Sequence, residues 1–374
     1  MRRNLLLFAV NGYGVFGSGL KANVTDKLND ILLRAVTTNA KFSDLQEELR
    51  AHLLGKDGGQ GAFARYATTY ATTALSQFTG QNNKLLTDDL DCEWFMYVGS
   101  NKETTREFCS HLTAKKFVHR SEIPDLLKGK IDDYQCAIYP KTNLPYGMIE
   151  GTTPDNFQCN CGGWNCRHQL IPVADAVVPL SIRQRLKKVQ AVRKQADTLR
   201  QSGNYKDVQT NAMGGLKAIH NGHIVHSAQN EETFFEEHLT STQLELACQN
   251  QLYQLGHSAI LRDESTQDSN GNQLPALDLE LDGKLMDIAS ITQGKFGSAL
   301  LNKNRQLKKV ASKTGYIGEE VCLYIHDKTM FSKEKLLQDI DFFKAQAVKY
   351  KTQIYIKRIH IVINGDTDIY TYEI

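Results

Sequence analysis

Cys159, Cys161, Cys166 and His168 stand close together in the run Cys159-Asn-Cys-Gly-Gly-Trp-Asn-Cys-Arg-His168. Three thiolates and an imidazole form a tetrahedral donor set suited to structural zinc. Gly162-Gly163 supplies the chain reversal that would bring both arms to one ion. Cys109, well upstream, is a further thiol that can return to the same spot. The lone residue between Cys159 and Cys161 is shorter than the usual zinc-knuckle spacing, so free thiols packed in a glycine turn stand as an equal reading. A catalytic Cys166–His168 pair is disfavoured, because no third orienting group or oxyanion donor can be named.

A second chemical pattern lies in Leu277-Asp-Leu-Glu-Leu-Asp-Gly-Lys-Leu-Met-Asp-Ile-Ala289. Leu277, Leu279 and Leu281 alternate with Asp278 and Glu280, which gives one apolar and one acidic face. Asp282-Gly283 is the preferred two-residue type I′ turn. With that turn, Leu281 faces Lys284, Leu279 faces Met286, and Asp278 lies opposite Asp287. Two carboxylates across a ladder repel, so the pairing calls for a metal ion, a shared proton or a basic partner between them. The plainer alternative is a solvent-exposed face on which the repulsion is small. His257, His326 and His360 are candidate acid–base groups for metal-independent cleavage, although a lone histidine is more often structural. His220, His223 and His226 recur every third residue in Lys217–His226, read as a polar linker segment in which Gly222 weakens a helix and metal binding is a further option.

The elements that must position these groups follow from periodicity. Val24, Leu28, Ile31, Leu32 and Ala35 predict a first helix. Ser43 with Gln46 predicts a capping box for a second, with Leu45, Leu49 and Leu53 on one face and Gly55 at its end. Phe63, Tyr66, Ala67, Tyr70, Ala71, Ala74 and Phe78 predict the apolar stripe of a third. Residues 92–98 read as an aromatic strand, and Trp94 and Trp164, the chain's two tryptophans, suggest a small aromatic core. A basic helix over 181–200 leads into a polar, glycine-punctuated stretch, read as a solvated connector, with phosphate contact as the sharper alternative. Beyond it the pattern predicts a helix ending at Gly256, a strand at 258–261, the hairpin, and a helix near 298–312. A strand at 321–325, a helix at 333–349 and two closing strands complete the chain.

The fold class expected is α+β. It comprises a helical N-terminal domain with a Cys/Trp-rich module (1–180), a basic helix and linker (181–235), and a separate α+β domain (236–374) with a meandering, mostly antiparallel sheet. The length of 374 residues suits two domains. A net charge of +2 makes no global case for nucleic acid or membrane, and no apolar run approaches the roughly 20 residues of a spanning helix. Met1–Val10 lacks the length and cleavage site of a secretory signal, so a cytosolic product is expected. Eight cysteines in so long a chain do not make a disulfide scaffold; Cys92, Cys136, Cys248 and Cys322 are expected as buried thiols.

Tyr97-Val-Gly-Ser100, Thr105-Arg-Glu-Phe-Cys109 and Gly162-Gly-Trp-Asn-Cys-Arg-His-Gln169, with Ile171-Pro-Val173 and the earlier Arg65-Tyr-Ala and Ala74-Leu-Ser-Gln-Phe78, resemble the pattern of phage Mu F-like head-morphogenesis proteins over about residues 20–180. The resemblance implies a minor head protein that acts in head assembly or is delivered with DNA. It implies portal and other head proteins as partners, and a virion location after assembly in the host cytoplasm. The 277–306 region resembles toxin nuclease domains of contact-dependent inhibition systems, and phage head proteins joined to nuclease-like domains, including the Barnase/EndoU/colicin/RelE-like group, are a known architecture. This resemblance implies cleavage of RNA, with Asp278, Asp287 and Gln306 as site residues and a divalent metal as cofactor. The chain departs from it at Ala289, which stands where such a nuclease keeps a lysine. Lys295, Lys303 and Lys308 are the spatial substitutes on offer. The alternative is a non-enzymatic virion protein whose C-terminal domain keeps the nuclease fold for binding.

Overall fold

The computed structural model describes residues 27, 30, 31, 34, 42–59, 61–223 and 233–374. The expected Val24–Ala35 helix lies mostly outside these residues, as do Met1–Val10 and His226. Two compact units result, Met1–Pro179 and Leu180–Ile374.

The first unit carries α1 (Phe42–Leu54) and α2 (Ala62–Asp89). α1 starts ahead of the expected Ser43 cap, and the Ser43 hydroxyl instead donates to its neighbour Asp44. Gly55 ends the helix at φ 94°, a left-handed conformation that glycine adopts without steric cost. α2 runs on to Asp89, and of its expected apolar stripe Phe63 and Phe78 are exposed. Several of its described contacts are hydrogen bonds. Ser76 donates to the Cys166 carbonyl at 2.8 Å, Gln77 to Asn160 at 2.9 Å, and Asn83 to the Leu170 carbonyl at 3.2 Å. Gly80 permits the approach, because a Cβ there would lie 2.4 Å from the Gln158 carbonyl oxygen.

β1 (Trp94–Val98) is the centre of an antiparallel sheet. β2 (Phe117–His119) lies on one side and β3 (Gln169–Val173) on the other. α3 (Glu107–Lys115) precedes β2. The core is Phe95, Tyr97, Phe108, Leu112, Phe157 and Leu170 with their neighbours. The tryptophans stand at its margin, contrary to the expected aromatic centre. Trp94 is buried edge-on against His119, and Trp164 is only half-buried.

The second unit is α+β and is built on one eight-stranded sheet. In chain order the elements of this sheet and its helices are α4 (Leu180–Ser202), β4 (Tyr205–Thr210), β5 (Leu216–His220), α5 (Ser241–Gln254), β6 (Ser258–Leu261), β7 (Leu279–Leu281) and β8 (Lys284–Ser290), with a separate short strand pair, Thr233–Phe234 and Leu239–Thr240, ahead of α5. Then follow α6 (Phe296–Thr314), β9 (Glu320–Ile325), α7 (Lys333–Lys349), β10 (Arg358–Ile363) and β11 (Ile369–Glu373). The strands lie side by side in their order along the chain. β4–β5, β6–β7, β7–β8 and β10–β11 pair antiparallel, and β5–β6, β8–β9 and β9–β10 pair parallel. Each parallel pair is one that a hairpin cannot connect, and a helix lies between its strands in the chain.

Of the expected linker, 181–235, the described stretch 181–220 is therefore part of the fold. α4 buries Val192 and Ala196 against Leu216, Ala218 and Ile260, and β4 and β5 extend the sheet. α5 packs Leu244, Cys248 and Leu252 onto one cluster with Leu279, Leu281, Met286 and Ile288. Phe296, Leu300 and Leu307 of α6 and Leu336, Ile340 and Phe343 of α7 fill another with Val321, Leu323 and Ile361. Leu277 joins this second cluster, so the expected single leucine face breaks before β7 begins. Cys136, Cys248 and Cys322 are buried as expected, whereas Cys92 is only half-buried.

Candidate functional site

Each unit carries one centre of chemical interest. In the second it is assembled on the β7–β8 hairpin. Asp282 and Gly283 have φ of 47° and 84°, as a type I′ turn requires. Leu279 pairs with Met286 and Leu281 with Lys284, the register expected from the sequence. One step further from the turn, the Asp278 and Asp287 carboxyls meet.

Asp287 is fully buried, yet neither carboxylate oxygen has a hydrogen bond of normal geometry. Its cationic neighbour is Lys303, one of the three candidate substitutes, whose Nζ lies 3.1 Å from Asp287 Oδ2. Lys303 projects from α6 and also donates to Gln306 Oε1 at 3.3 Å. Asp278, Asp287 and Gln306 are thus gathered around one lysine. Lys295 is tied to Gln293 instead, and Lys308 is exposed.

Burial drives the Asp287 carboxyl well above the usual carboxylate range; Lys303 opposes this and Asp278 reinforces it. For Lys303, burial alone would lower the ammonium pKa, but Asp287 and Asp278 outweigh it and hold the group above the ordinary lysine value. The lysine is consequently a cation held in place.

Two acidic groups that sequence reasoning missed complete the surroundings. Glu245 of α5 is close enough to act electrostatically on Lys303. His223, its side chain nearly inaccessible, sits with Nε2 3.6 Å from Glu245 Oε2 and Nδ1 3.0 Å from Glu264 Oε1. Burial would lower this imidazole, but the two glutamates prevail and push it up to about 10. Asp278, Asp287 and Glu245 thus act on Lys303, and Glu245 and Glu264 on His223. Neither glutamate belongs to a motif, so no spacing could have marked them.

The histidine candidates lie elsewhere. His257 pairs with Asp282 at 2.6 Å and His360 with Glu320 at 2.7 Å, and both line one cavity of about 460 Å³ toward the turn end of the hairpin. His326 instead contacts Tyr324 and Phe235.

In the first unit, Cys109 of α3 and Cys166 and His168 of the loop before β3 come together. Their ligand atoms all lie within 4.8 Å of one another, and all three residues are buried. Among the described residues this is the one such group of three or more metal-binding side chains. Cys166 Sγ is 3.7 Å from Cys109 Sγ and 3.4 Å from His168 Nδ1. His168 Nε2 is 3.3 Å from Asn101 Oδ1, and its ring stacks on Tyr97 at 5.3 Å.

The expected set is thereby corrected. Cys159 points away, its thiol donating to Gln81 at 3.1 Å, and Cys161 is buried in the adjacent core without its sulfur joining the group. A one-residue spacing sends alternate side chains to different places unless the turn is very tight. Cys109, offered as an addition, is a full member.

Two glycines make the room. A Cβ on Gly162 would lie 2.2 Å from Cys166 Sγ, and one on Gly99 2.2 Å from His168 Cδ2. Arg106 pins the loop by donating to the Gly162 carbonyl at 2.8 Å and to that of Trp164. Within the coupled thiol pair, the hydrogen bond between them lowers Cys166 and raises Cys109, and the contacts from His168 lower Cys166 further against burial. A thiol so disposed is ready to be a thiolate ligand.

Among the described residues no helix is long and apolar enough to cross a membrane. Compared with known proteins, the chain matches no protein-family model, no curated protein and no solved structure.

Proposed function

We propose that the second unit is a metal-dependent phosphodiesterase acting on RNA. The observation that carries this reading is Lys303 Nζ at 3.1 Å from Asp287 Oδ2, which supplies from α6 the lysine that Ala289 lacks. A divalent cation fits this site, because carboxylate oxygens are hard donors and, beyond the Lys303 ion pair, neither Asp287 oxygen has a hydrogen bond of normal geometry. Asp278 and Asp287 would hold it, and when bound it supplies positive charge at the scissile phosphate. Lys303, kept protonated by its acidic neighbours, stabilises charge developing on the phosphate oxygens. Gln306 orients the lysine.

The first unit, by its resemblance to Mu F-like proteins, is read as a head-morphogenesis module, with portal and other head proteins as partners and the virion, after assembly in the host cytoplasm, as its location. Cys109, Cys166 and His168 are read as zinc ligands, since soft thiolates with one imidazole select that ion. Two assays test these readings. The full chain should cleave tRNA or total RNA in Mg²⁺, and Asp278→Ala should abolish cleavage. If wild type and variant are equally inactive, the second unit is a binding domain that keeps only the fold. Elemental analysis should find one zinc per chain, and its absence would remove the metal from the first unit.

A further inference from the structure

The Cys109–Cys166–His168 group does not close on itself. It stands in the wall of a cavity of about 430 Å³ whose lining also includes Lys102, Arg106 and Arg167 and contains no carboxylate. The sulfurs of the two other thiols of the run do not join the group. Cys159 bonds to Gln81, and Cys161 lies on the core side, beside Cys166 and Tyr97, outside the cavity lining. Three protein donors with a fourth position facing solvent is the arrangement of exchangeable, rather than closed, metal sites.

Charge favours one kind of exchangeable ligand. Two thiolates neutralise a divalent ion, so the positive potential at the fourth position comes from the lining cations. Arg106 is fixed by the Gly162 and Trp164 carbonyls and keeps its charge at the rim. Lys102 and Arg167 are exposed and free to close on an incoming group. Cys109 also sits in the first turn of the nine-residue helix α3, where unpaired amide groups add to the positive field. Tyr97, only 2% exposed, backs the group from the core side: its hydroxyl faces the Cys109, Cys161 and Cys166 thiols, and a Cβ on Gly162 would lie 3.1 Å from it.

We propose that a metal ion held by Cys109, Cys166 and His168 keeps its fourth position open to this cavity and takes a phosphate group there, between Lys102 and Arg167. The proposal rests on the metal reading given above for the first unit. Its test is the full chain loaded with cobalt(II), whose visible ligand-field bands report each ligand. Titration with inorganic phosphate should shift the bands saturably. The double variant K102Q/R167Q should keep one cobalt per chain and bind phosphate about tenfold more weakly. A parallel titration with a single-stranded oligonucleotide identifies the source: a shift at lower concentration than with inorganic phosphate assigns the site to nucleic acid, and no such gain assigns it to free phosphate. Cobalt bound at one per chain with bands indifferent to phosphate would overturn the proposal while leaving the metal reading intact. So would a spectrum that changes on Cys161→Ser without phosphate, because Cys161 would then be the fourth ligand. Failure to bind cobalt would remove both.

Discussion

The two centres are built by opposite means. The Cys109–Cys166–His168 group is a loop centre, shaped by glycines at 99 and 162 and pinned by Arg106 to backbone carbonyls. The Asp278–Asp287–Lys303 group is a scaffold centre, with its acids at the β7–β8 hairpin and its lysine on α6. Loops place soft donors with little steric demand. Regular elements can force like charges together, and here the fold sets the half-buried Asp278 close enough to act on the fully buried Asp287. The first centre fits metal retention and the second fits work on charge.

The largest expected effect tests the scaffold centre. Lys303→Ala should lower RNA cleavage by about a thousandfold, the scale of losing one preorganised electrostatic group. Returning a lysine to the strand in the double variant Ala289→Lys/Lys303→Ala should recover part of that loss. A Lys303→Ala protein that is folded and fully active would end the parallel with charge-based catalysis.

Next comes His223, which joins α5 to the chain after β5. Its replacement by alanine should cost about 3 kcal/mol, because two half-buried glutamates lose their shared cation. The pH dependence has a definite sign. The folded-state pKa, about 10, lies above the ordinary 6.5, so the stabilisation is fully present below pH 6.5 and is lost as pH rises through 10. Denaturant melts of wild type and His223→Gln should therefore diverge in mildly acidic buffer and converge above pH 10. Curves that stay parallel across this range would show that the imidazole carries no charge.

A smaller effect is expected at the loop centre. Chelation of zinc should lower the melting temperature of the first unit by about 5 °C or more and leave the transition of the second unit unmoved. Calorimetry on the full chain separates the two, and Cys166→Ser should reproduce the chelated profile. Smallest is Gln306→Ala, for which a few-fold fall in cleavage is expected from the loss of about 1 kcal/mol of hydrogen bonding to Lys303. An unchanged rate would place Gln306 outside the working site.

Local patterns were legible. The Asp282-Gly283 turn, the hairpin register and the meeting of Asp278 with Asp287 followed from alternation and turn chemistry alone. So did the α+β class, but not the full sheet, which also takes in β4 and β5 and holds three parallel pairs. What escaped depended on contacts between distant segments. Lys303 was one of three equal lysines, and only the packing of α6 selects it. Glu245 and His223 meet across many residues with no shared motif. Residues 181–235 read as a linker because α4 is charged on most sides and buries a narrow strip of small apolar residues around Val192 and Ala196. Cys159 and Cys161 were drawn into the metal set by proximity in sequence, and the short turn of helix at Phe157–Asn160 sends them elsewhere.

The sheet of the second unit has the order of a folding ruler: each strand is laid against the one made just before it. Pairings of short sequence separation close small loops and lower the entropic barrier to folding. Chain emerging from a ribosome can therefore zip the sheet progressively, without waiting for its C-terminal strands. The same order runs in reverse under tension. A pull on either terminus meets an edge strand, β4 beyond its helix or β11, and can strip the sheet one ladder at a time instead of breaking all ladders together. A domain so connected resists heat as one body and yields to a directed pull in instalments.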